Sequence, residues 1–472
     1  MIGIVSYGAY IPYYRLKKET ISNAFGKSGG RTEKAVAYCD EDSLTMAVAA
    51  AMDTVAGCSC DDLKGIYFAS TTSPYKEKMC ASEIAAVLGK TENLRTSDFS
   101  GSLRAGSSSM LYAFDTIKDG GQALATMSDC RLGAADGKFE AELGDGAAAF
   151  LLGSEDLLAT LDGTVSISKN AIDQWRSDHD IYVRNWDMRY ANTELYIPLV
   201  KQAATELMNK LNLTPADYAN IVLYGHEEKN RLALAAKLGF TPEQITASMY
   251  EKIGNTGNAA AGLMLVSALE NAKPGDKILF ISYGEGCDAM SFTVTDKVLS
   301  YSPVNSIKKL LNRCDNTLPY GKYLKWKGML ECEPQKRPAQ ERSALPDYFR
   351  NYRKNHNLTG SKCTVCGTAV FPPQRVCVHC HTIDQCEPYT FIDKKAHVRT
   401  FTIDGLSLSL DSPNILVVIE FEGGGKMMTY LVDCKKEDVK VGMAVKPTYR
   451  KMFDANGVQT YFYKVVPAIE EV

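Results

Sequence analysis

The stretch Cys363-Thr-Val-Cys366-Gly-Thr-Ala-Val-Phe-Pro-Pro-Gln-Arg-Val-Cys377-Val-His-Cys380 decides how the end of the chain folds and where the chain divides. Two CxxC pairs on tight turns, ten residues apart, offer four thiolates. Such a set closes a tetrahedral zinc site and leaves no coordination position open for chemistry. Gly367 admits the turn after the first pair, and Pro372 and Pro373 stiffen the spacer. A redox dithiol would need only one of the pairs. His379 and His381 flank a ligand and read as solvent-facing or supporting residues, because four thiolates already complete the set. A structural zinc held by Cys363, Cys366, Cys377 and Cys380 is therefore expected.

The chain differs in kind on the two sides of this motif. On its C-terminal side, residues 415–420 (ILVVIE), 426–432 and 459–465 alternate apolar and polar positions, with Gly423-Gly424-Gly425 as a tight turn. Short strands joined by glycine turns predict a small β-barrel. On its N-terminal side, residues 331–346 are charged and proline-bearing and read as a linker, and residues 347–355 (DYFRNYRKN) read as a short basic helix. From the start to about residue 300, apolar strand-like runs alternate with helical patterns. The runs are 65–70, 147–153, 220–224 and 277–282; the helical patterns are 43–54, 105–118, 197–211 and 257–271. This alternation predicts a layered α/β domain. Within it, Gly144-Asp145-Gly146-Ala147-Ala148-Ala149 is echoed by Gly284-Glu285-Gly286-Cys287-Asp288-Ala289, which suggests duplicated half-domains.

Composition narrows the function. A chain of 472 residues exceeds what one hydrophobic core supports. The net charge is −3, with both signs interspersed, so neither a nucleic-acid face nor a polybasic membrane surface is expected. The longest apolar run, residues 147–153, is far below the roughly 20 residues that span a bilayer. The opening MIGIVSYGAYIPYYRL reads as a first strand and not as a signal peptide, which gives a cytoplasmic expectation. The ten cysteines outside the paired motif are scattered, and in a reducing compartment such residues are mostly small buried hydrophobes.

Two resemblances sharpen the reading. The segment 361–374 (SKCTVCGTAVFPPQ) and the strands after it resemble the DUF35 family, a rubredoxin-like zinc ribbon joined to an OB-fold. The first 300 residues resemble 3-hydroxy-3-methylglutaryl-CoA synthase over nearly their whole length. The matching segments are IGIVSYGAYIP (2–12), STTSPY (70–75), SLRAGS around Arg104, AKLGF (236–240) and IGNT (253–256). These resemblances imply a thiolase fold, αβαβα with duplicated halves, followed by a rubredoxin-like zinc ribbon and an all-β OB-fold barrel. The expected organisation is 1–165 and 166–300 for the two halves, 301–355 for a linker with a short helix, 356–390 for the ribbon and 391–472 for the barrel. They also imply an acyl-CoA substrate with CoA as its carrier, zinc as the structural metal, and a homodimer. Assembly with another thiolase-superfamily enzyme is left open.

The family's catalytic histidine falls on His226 and the related ketosynthase III asparagine on Asn255, which the resemblance places in one pocket. An imidazole and a carboxamide there could stabilise an oxyanion, each donor contributing roughly 3–4 kcal/mol. The family's nucleophilic cysteine falls on Leu103 and its glutamate base on Thr71. Three readings are open. The first is C–C bond formation or cleavage beside a thioester without an acyl-cysteine, with Glu77, Asp98, Glu227 or Tyr283 as candidate base. The second is acyl transfer through a displaced nucleophile, Ser102, Cys130 or Cys287. The third is a non-catalytic acyl-CoA-binding scaffold. The bland alternatives are that His226 is a satisfied core histidine, that Asn255 is a turn residue, and that each candidate base is simply solvated.

Overall fold

In the computed structural model, residues 1–333, 344–407, 409–455 and 457–468 are described. They form two compact units. The first comprises Met1–Ala37, Asp42–Ile84 and Glu92–Tyr323; the second comprises Tyr38–Glu41, Ala85–Thr91 and Leu324–Val472.

The apolar runs of the first unit are strands of one sheet. In chain order they are β1 (Gly3–Tyr10), β2 (Leu63–Ala69), β3 (Arg95–Phe99), β4 (Gln122–Cys130), β5 (Asp145–Gly153), β6 (Ala159–Ser168), β7 (Asn220–Leu223), β8 (Lys277–Tyr283) and β9 (Gly286–Val294). The spatial order is β7-β8-β9-β6-β1-β5-β4-β2-β3. The duplication is visible in that order. β1 pairs antiparallel with β5, β5 antiparallel with β4, and β4 parallel with β2. β6 repeats this with β9, β9 with β8, and β8 with β7. The echoed glycine motifs open β5 and β9, the equivalent strands of the two halves. The two halves share one continuous sheet, because β1 and β6 pair through Gly3↔Thr160 and Ile4↔Ala159.

Four helices complete the layers: α1 (Ser43–Val55), α2 (Ala105–Thr116), α3 (Ile197–Leu211) and α4 (Asn258–Glu270). α1 covers β1, β4 and β5, and α3 covers β6, β8 and β9. α2 and α4 lie between the halves: α4 touches β4 and β5 of one and β7 and β8 of the other, and Phe114 of α2 meets Phe292 of β9 at 6.3 Å. A helix buried on all sides must be apolar all round, and α4 is, with Leu263, Met264, Leu265, Val266 and Leu269 all buried. The result is the αβαβα layering of the thiolase fold.

The second unit holds a three-stranded ribbon (Thr359–Cys363, Ala369–Val370, Cys386–Thr390) and a closed five-stranded barrel. The barrel strands are Ala396–Asp404, Asn414–Phe421, Lys426–Leu431, Ala444–Ala455 and Val458–Pro467. Residues of Asn414–Phe421 alternate in burial, as the period of two requires. The predicted basic helix at 347–355 is two helices, Leu345–Arg350 and Tyr352–His356. Asn351 interrupts it: its side-chain amide donates to the Asp347 carbonyl and carboxylate, competing with the helical ladder. The predicted linker also carries Ile307–Asn312 and Tyr320–Trp326 as helices, and its residues 334–343 lie outside the described residues. Inside this unit Arg450 is fully buried. It binds Asp40 at 2.9 Å, Asp433 at 2.7 Å and Glu41 at 3.2 Å. Burial alone would raise the Asp40 carboxyl, but Lys464 and Arg450 outweigh it and hold it below the usual range. Among the described residues no helix is long and apolar enough to cross a membrane.

In the first unit a second buried carboxylate, Asp129, carries more structure. Its Oδ1 accepts from the Ser70, Thr71 and Thr72 hydroxyls and from the Thr71 amide, and its Oδ2 accepts from the Asn258 amide and side chain. Gly257 precedes that helix start with φ +60, and a Cβ on it would stand 2.3 Å from Asp129 Oδ2. Replacing Asp129 with Asn turns an amide group toward at least one set of donors. We expect Asp129→Asn to cost about 3 kcal/mol, a fall of roughly 5 °C in melting temperature. Thermal unfolding followed by near-UV circular dichroism checks this; an unchanged melting temperature would contradict it.

Candidate active site

The first unit contains a cavity of about 590 Å³ at the carboxyl ends of its parallel strands. Crevices outside those ends are where open α/β sheets bind ligands, because loops there are free of the ladder. Residues 70–73 follow β2, and residues 100–103 connect β3 to α2. Arg131 follows β4, residues 173–178 come from the loop after β6, His226 follows β7, and Gly284 and Glu285 make the β8–β9 turn. The first glycine of each echoed motif permits a close backbone approach: Cβ atoms there would lie 1.8 Å from the Ile253 carbonyl oxygen at Gly144 and 2.8 Å from the Arg104 amide at Gly284.

The polar contacts of the cavity wall centre on His226. Its Nε2 lies 2.7 Å from Asp173 Oδ2, and Tyr283 donates its hydroxyl to the same oxygen at 3.0 Å. Burial would raise Asp173, yet the bonds from His226 and Tyr283 and the charge of Arg131 hold its carboxyl below the ordinary value. A charged Asp173 fixes the tautomer with the proton on Nε2 and leaves Nδ1 as the free lone pair. Nδ1 is buried with no partner, and so are Asp173 Oδ1 and Arg131 Nη1. Three unsatisfied polar atoms on residues of one cavity wall are what a ligand site leaves when nothing fills it.

The other sequence candidates separate sharply. Leu103 and Ser102 line the cavity beside the start of α2. Ser102 donates its hydroxyl to the Gly284 carbonyl at 2.9 Å. Thr71 lines it too, with its hydroxyl turned onto Asp129 at 3.0 Å. Asp98 lines the cavity but accepts from the Cys80 and Ala81 amides at 2.6 and 2.8 Å, capping the helix Cys80–Val87, while burial pushes its carboxyl up. Asn255 is not among the lining residues. Its carboxamide oxygen accepts from Tyr224 and from the Gly257 amide, so it stands behind the Tyr224 ring, which in turn packs on His226. Cys287 is fully buried outside the lining, and burial, with Asp288 adding to it, pushes its thiol up. Cys130 is half-buried and also outside it. Glu77 is exposed, and Glu227 is held by Lys138 and Asn230. Tyr283 serves as donor to Asp173, and burial raises its hydroxyl away from any role as base. Sequence reasoning missed Asp173 and Arg131. The only signal was a run of polar and aromatic residues, Asp173-Gln174-Trp175-Arg176, in a loop with no periodicity.

The chain aligns with the hydroxymethylglutaryl-CoA synthase of Methanopyrus kandleri at 35% identity over 347 residues, 70% of this chain and 98% of that one. The chain belongs to the hydroxymethylglutaryl-CoA synthase family. The enzyme of the same name from Pyrococcus horikoshii is 34% identical over 307 residues, 63% of this chain and 87% of that one. A solved HMG-CoA synthase complexed with CoA superposes with TM-score 0.62 at 20% identity, covering 73% of this chain and 94% of that chain, which supports the fold. The C-terminal model of 3-oxoacyl-[acyl-carrier-protein] synthase III matches residues 208–295. The rubredoxin-like zinc ribbon of ChsH2 matches residues 350–382, and the ChsH2 C-terminal OB-fold domain matches residues 389–450. This synthase-family protein therefore couples a thiolase-superfamily unit to a zinc ribbon and an OB-fold in one chain.

The ribbon's cysteines fit the metal. The sulfur atoms of Cys363, Cys366, Cys377 and Cys380 all lie within 4.8 Å of one another. Cys363 and Cys380 are 3.6 Å apart, and Cys366 and Cys377 are 3.5 Å apart. Zinc–sulfur bonds of ~2.3 Å in a tetrahedron set an S···S edge of about 3.8 Å. The hydroxyl and amide of Thr368 pull the Cys366 thiol down to about 5, which favours the thiolate that zinc binds. We expect one zinc per chain by plasma emission, and Cys363→Ser to lose soluble protein instead of giving a soluble inactive one. Native protein free of zinc would contradict the assignment.

Proposed function

We propose that this protein makes or cleaves a C–C bond next to a CoA thioester at the His226–Asp173 pair, without an acyl-enzyme. The observation that carries the reading is Leu103. It lines the cavity where the resemblance puts the nucleophile, and no cysteine is among the lining residues. Leucine forms no thioester, so covalent transfer through that position is closed, while enolate chemistry needs only a base and stabilisation of the oxyanion.

In the forward sense, His226 Nδ1 takes the proton α to the thioester carbonyl. The enolate carbon attacks the carbonyl of the acceptor, a C–C bond forms, and the alkoxide recovers the proton from Nδ1. The reverse begins with Nδ1 taking the hydroxyl proton, breaks the bond, and returns the proton to the enolate carbon. Asp173 compensates the imidazolium in both directions, and Tyr283 keeps its carboxylate oriented. Asn255 acts in this reading by holding Tyr224 against the imidazole ring. The homodimer belongs to the same reading: Ile172, Ile181, Trp186 and Tyr190 stand more than half exposed within one short segment, a concentration of apolar surface typical of an interface.

With a panel of acyl-CoA esters and aldehyde or ketone acceptors, we expect His226→Ala and Asp173→Asn to lose roughly a hundredfold or more in turnover with little change in melting temperature. Intact mass after incubation with acetyl-CoA should show no adduct. An acetyl group mapped to Ser102 would replace the reading with acyl transfer, and equal turnover in all three proteins would remove the pair from the mechanism.

A further inference from the structure

The ribbon holds one cysteine more than its metal site uses. Cys386 opens the strand Cys386–Thr390, and its sulfur is not one of the four that lie together. In the antiparallel register it stands directly opposite Cys363, a ligand of that site. The bonds around the two cysteines fix the kind of pair they make. The Thr364 amide donates to the Gln385 carbonyl at 3.0 Å, and at the far end of the ladder the Phe391 amide donates to the Leu358 carbonyl at 3.0 Å. Bonded and non-bonded pairs alternate along an antiparallel ladder, so Cys363 and Cys386, next to Thr364 and Gln385, are a non-hydrogen-bonded pair. Two details agree. Pro388, two positions on and opposite Ser361, has no amide hydrogen to give, and the Cys363 amide donates outside the pair, to the Thr368 carbonyl at 2.9 Å.

In such a pair the Cα atoms are about 4.5 Å apart and both side chains leave the same face of the sheet. That separation lies within the roughly 4.4–6.8 Å that a disulfide bridges, so side-chain rotation joins the two sulfurs without parting the strands. Access differs between them. Cys363 is buried and Cys386 is half-buried, so a small oxidant in solution reaches Cys386 first. We propose that Cys386 is an oxidation site for hydroperoxides and that Cys363 resolves it as a disulfide, which withdraws one thiolate from the zinc set. The peroxide O–O bond breaks: one oxygen leaves as water or an alcohol, and the other stays on Cys386 as a sulfenic acid. The Cys363 thiolate then attacks that sulfur. The S–S bond forms, the S–O bond breaks, and the departing hydroxide takes a proton to become water. The two sulfurs supply the two electrons that reduce one peroxide. Three thiolates no longer close a tetrahedral set, and a ribbon folded around its metal loosens when the metal is lost. A thiol reductant restores both cysteines.

The test treats the zinc-loaded full chain with hydrogen peroxide, for wild type and Cys386→Ser. Zinc release is followed with the chromogenic chelator 4-(2-pyridylazo)resorcinol, and disulfides are mapped by mass spectrometry of thiol-blocked, non-reduced peptides. Cys386→Ser removes no ligand and should carry zinc in the wild-type amount. We expect wild type to release its zinc together with a Cys363–Cys386 disulfide, and to recover zinc binding after dithiothreitol and added metal. Cys386→Ser should release zinc about tenfold more slowly, and its ligand cysteines should pass to sulfinic acid that dithiothreitol does not reverse. A disulfide formed between two ligands in wild type, such as Cys363 and Cys380 with their sulfurs 3.6 Å apart, would overturn the proposal. Equal release rates in the two proteins would overturn it too. Loss of zinc from unoxidised Cys386→Ser would make Cys386 a ligand and would likewise overturn it.

Discussion

The buried carboxylate of Asp129 is the constraint on which the cavity depends. A charge taken out of water costs several kcal/mol unless donors surround it, and here donors arrive from both halves of the duplicated fold. Ser70, Thr71 and Thr72 come from the loop after β2, and Asn258 opens the central helix of the second half. Satisfying one carboxylate therefore fixes the loop that walls the cavity and the helix that separates the half-sheets. Gly257 is part of the same device, since any Cβ there would strike the Asp129 oxygen.

That arrangement also explains how the chain keeps the family's architecture around different residues at the site. The position matching the family's base is Thr71, whose hydroxyl and amide both serve Asp129 and face structure more than substrate. The position matching the nucleophile is Leu103, an apolar wall at the start of a central helix. Beside them stands an imidazole whose tautomer is set by Asp173 and whose other nitrogen is unpartnered. In the proposed reading this composition supplies a base and charge without a cysteine nucleophile, and the substrate is retained by the cofactor and by contacts along the wall.

How much of this was legible depended on sequence distance. The zinc ligands are a local pattern, and the structure brings all four sulfurs together. The buried strands arise from apolar runs, and the half-domain repeat from one glycine motif that opens β5 and β9 alike. Asp173 was not legible, because it pairs with His226 across 53 residues from a loop without periodicity. Asp129 was hidden for the same reason, its donors lying 57 to 129 residues away. Asn255 was legible as a turn residue: within Gly254-Asn255-Thr256-Gly257 its carboxamide oxygen accepts from the Gly257 amide and from Tyr224, and it stands outside the cavity lining. The continuity of the nine-stranded sheet rests on two residue pairs between β1 and β6, too short a signal to read from hydropathy.

The claim that His226 works as a base on a free thioester, with no acyl-enzyme, is tested most directly by exchange of the α-protons of an acyl-CoA in deuterated water, followed by proton nuclear magnetic resonance. Wild type should exchange them well above the buffer rate while its intact mass stays unchanged, and His226→Ala should not. Exchange that persists in His226→Ala, or that appears only in company with an acyl adduct on the protein, would contradict the account.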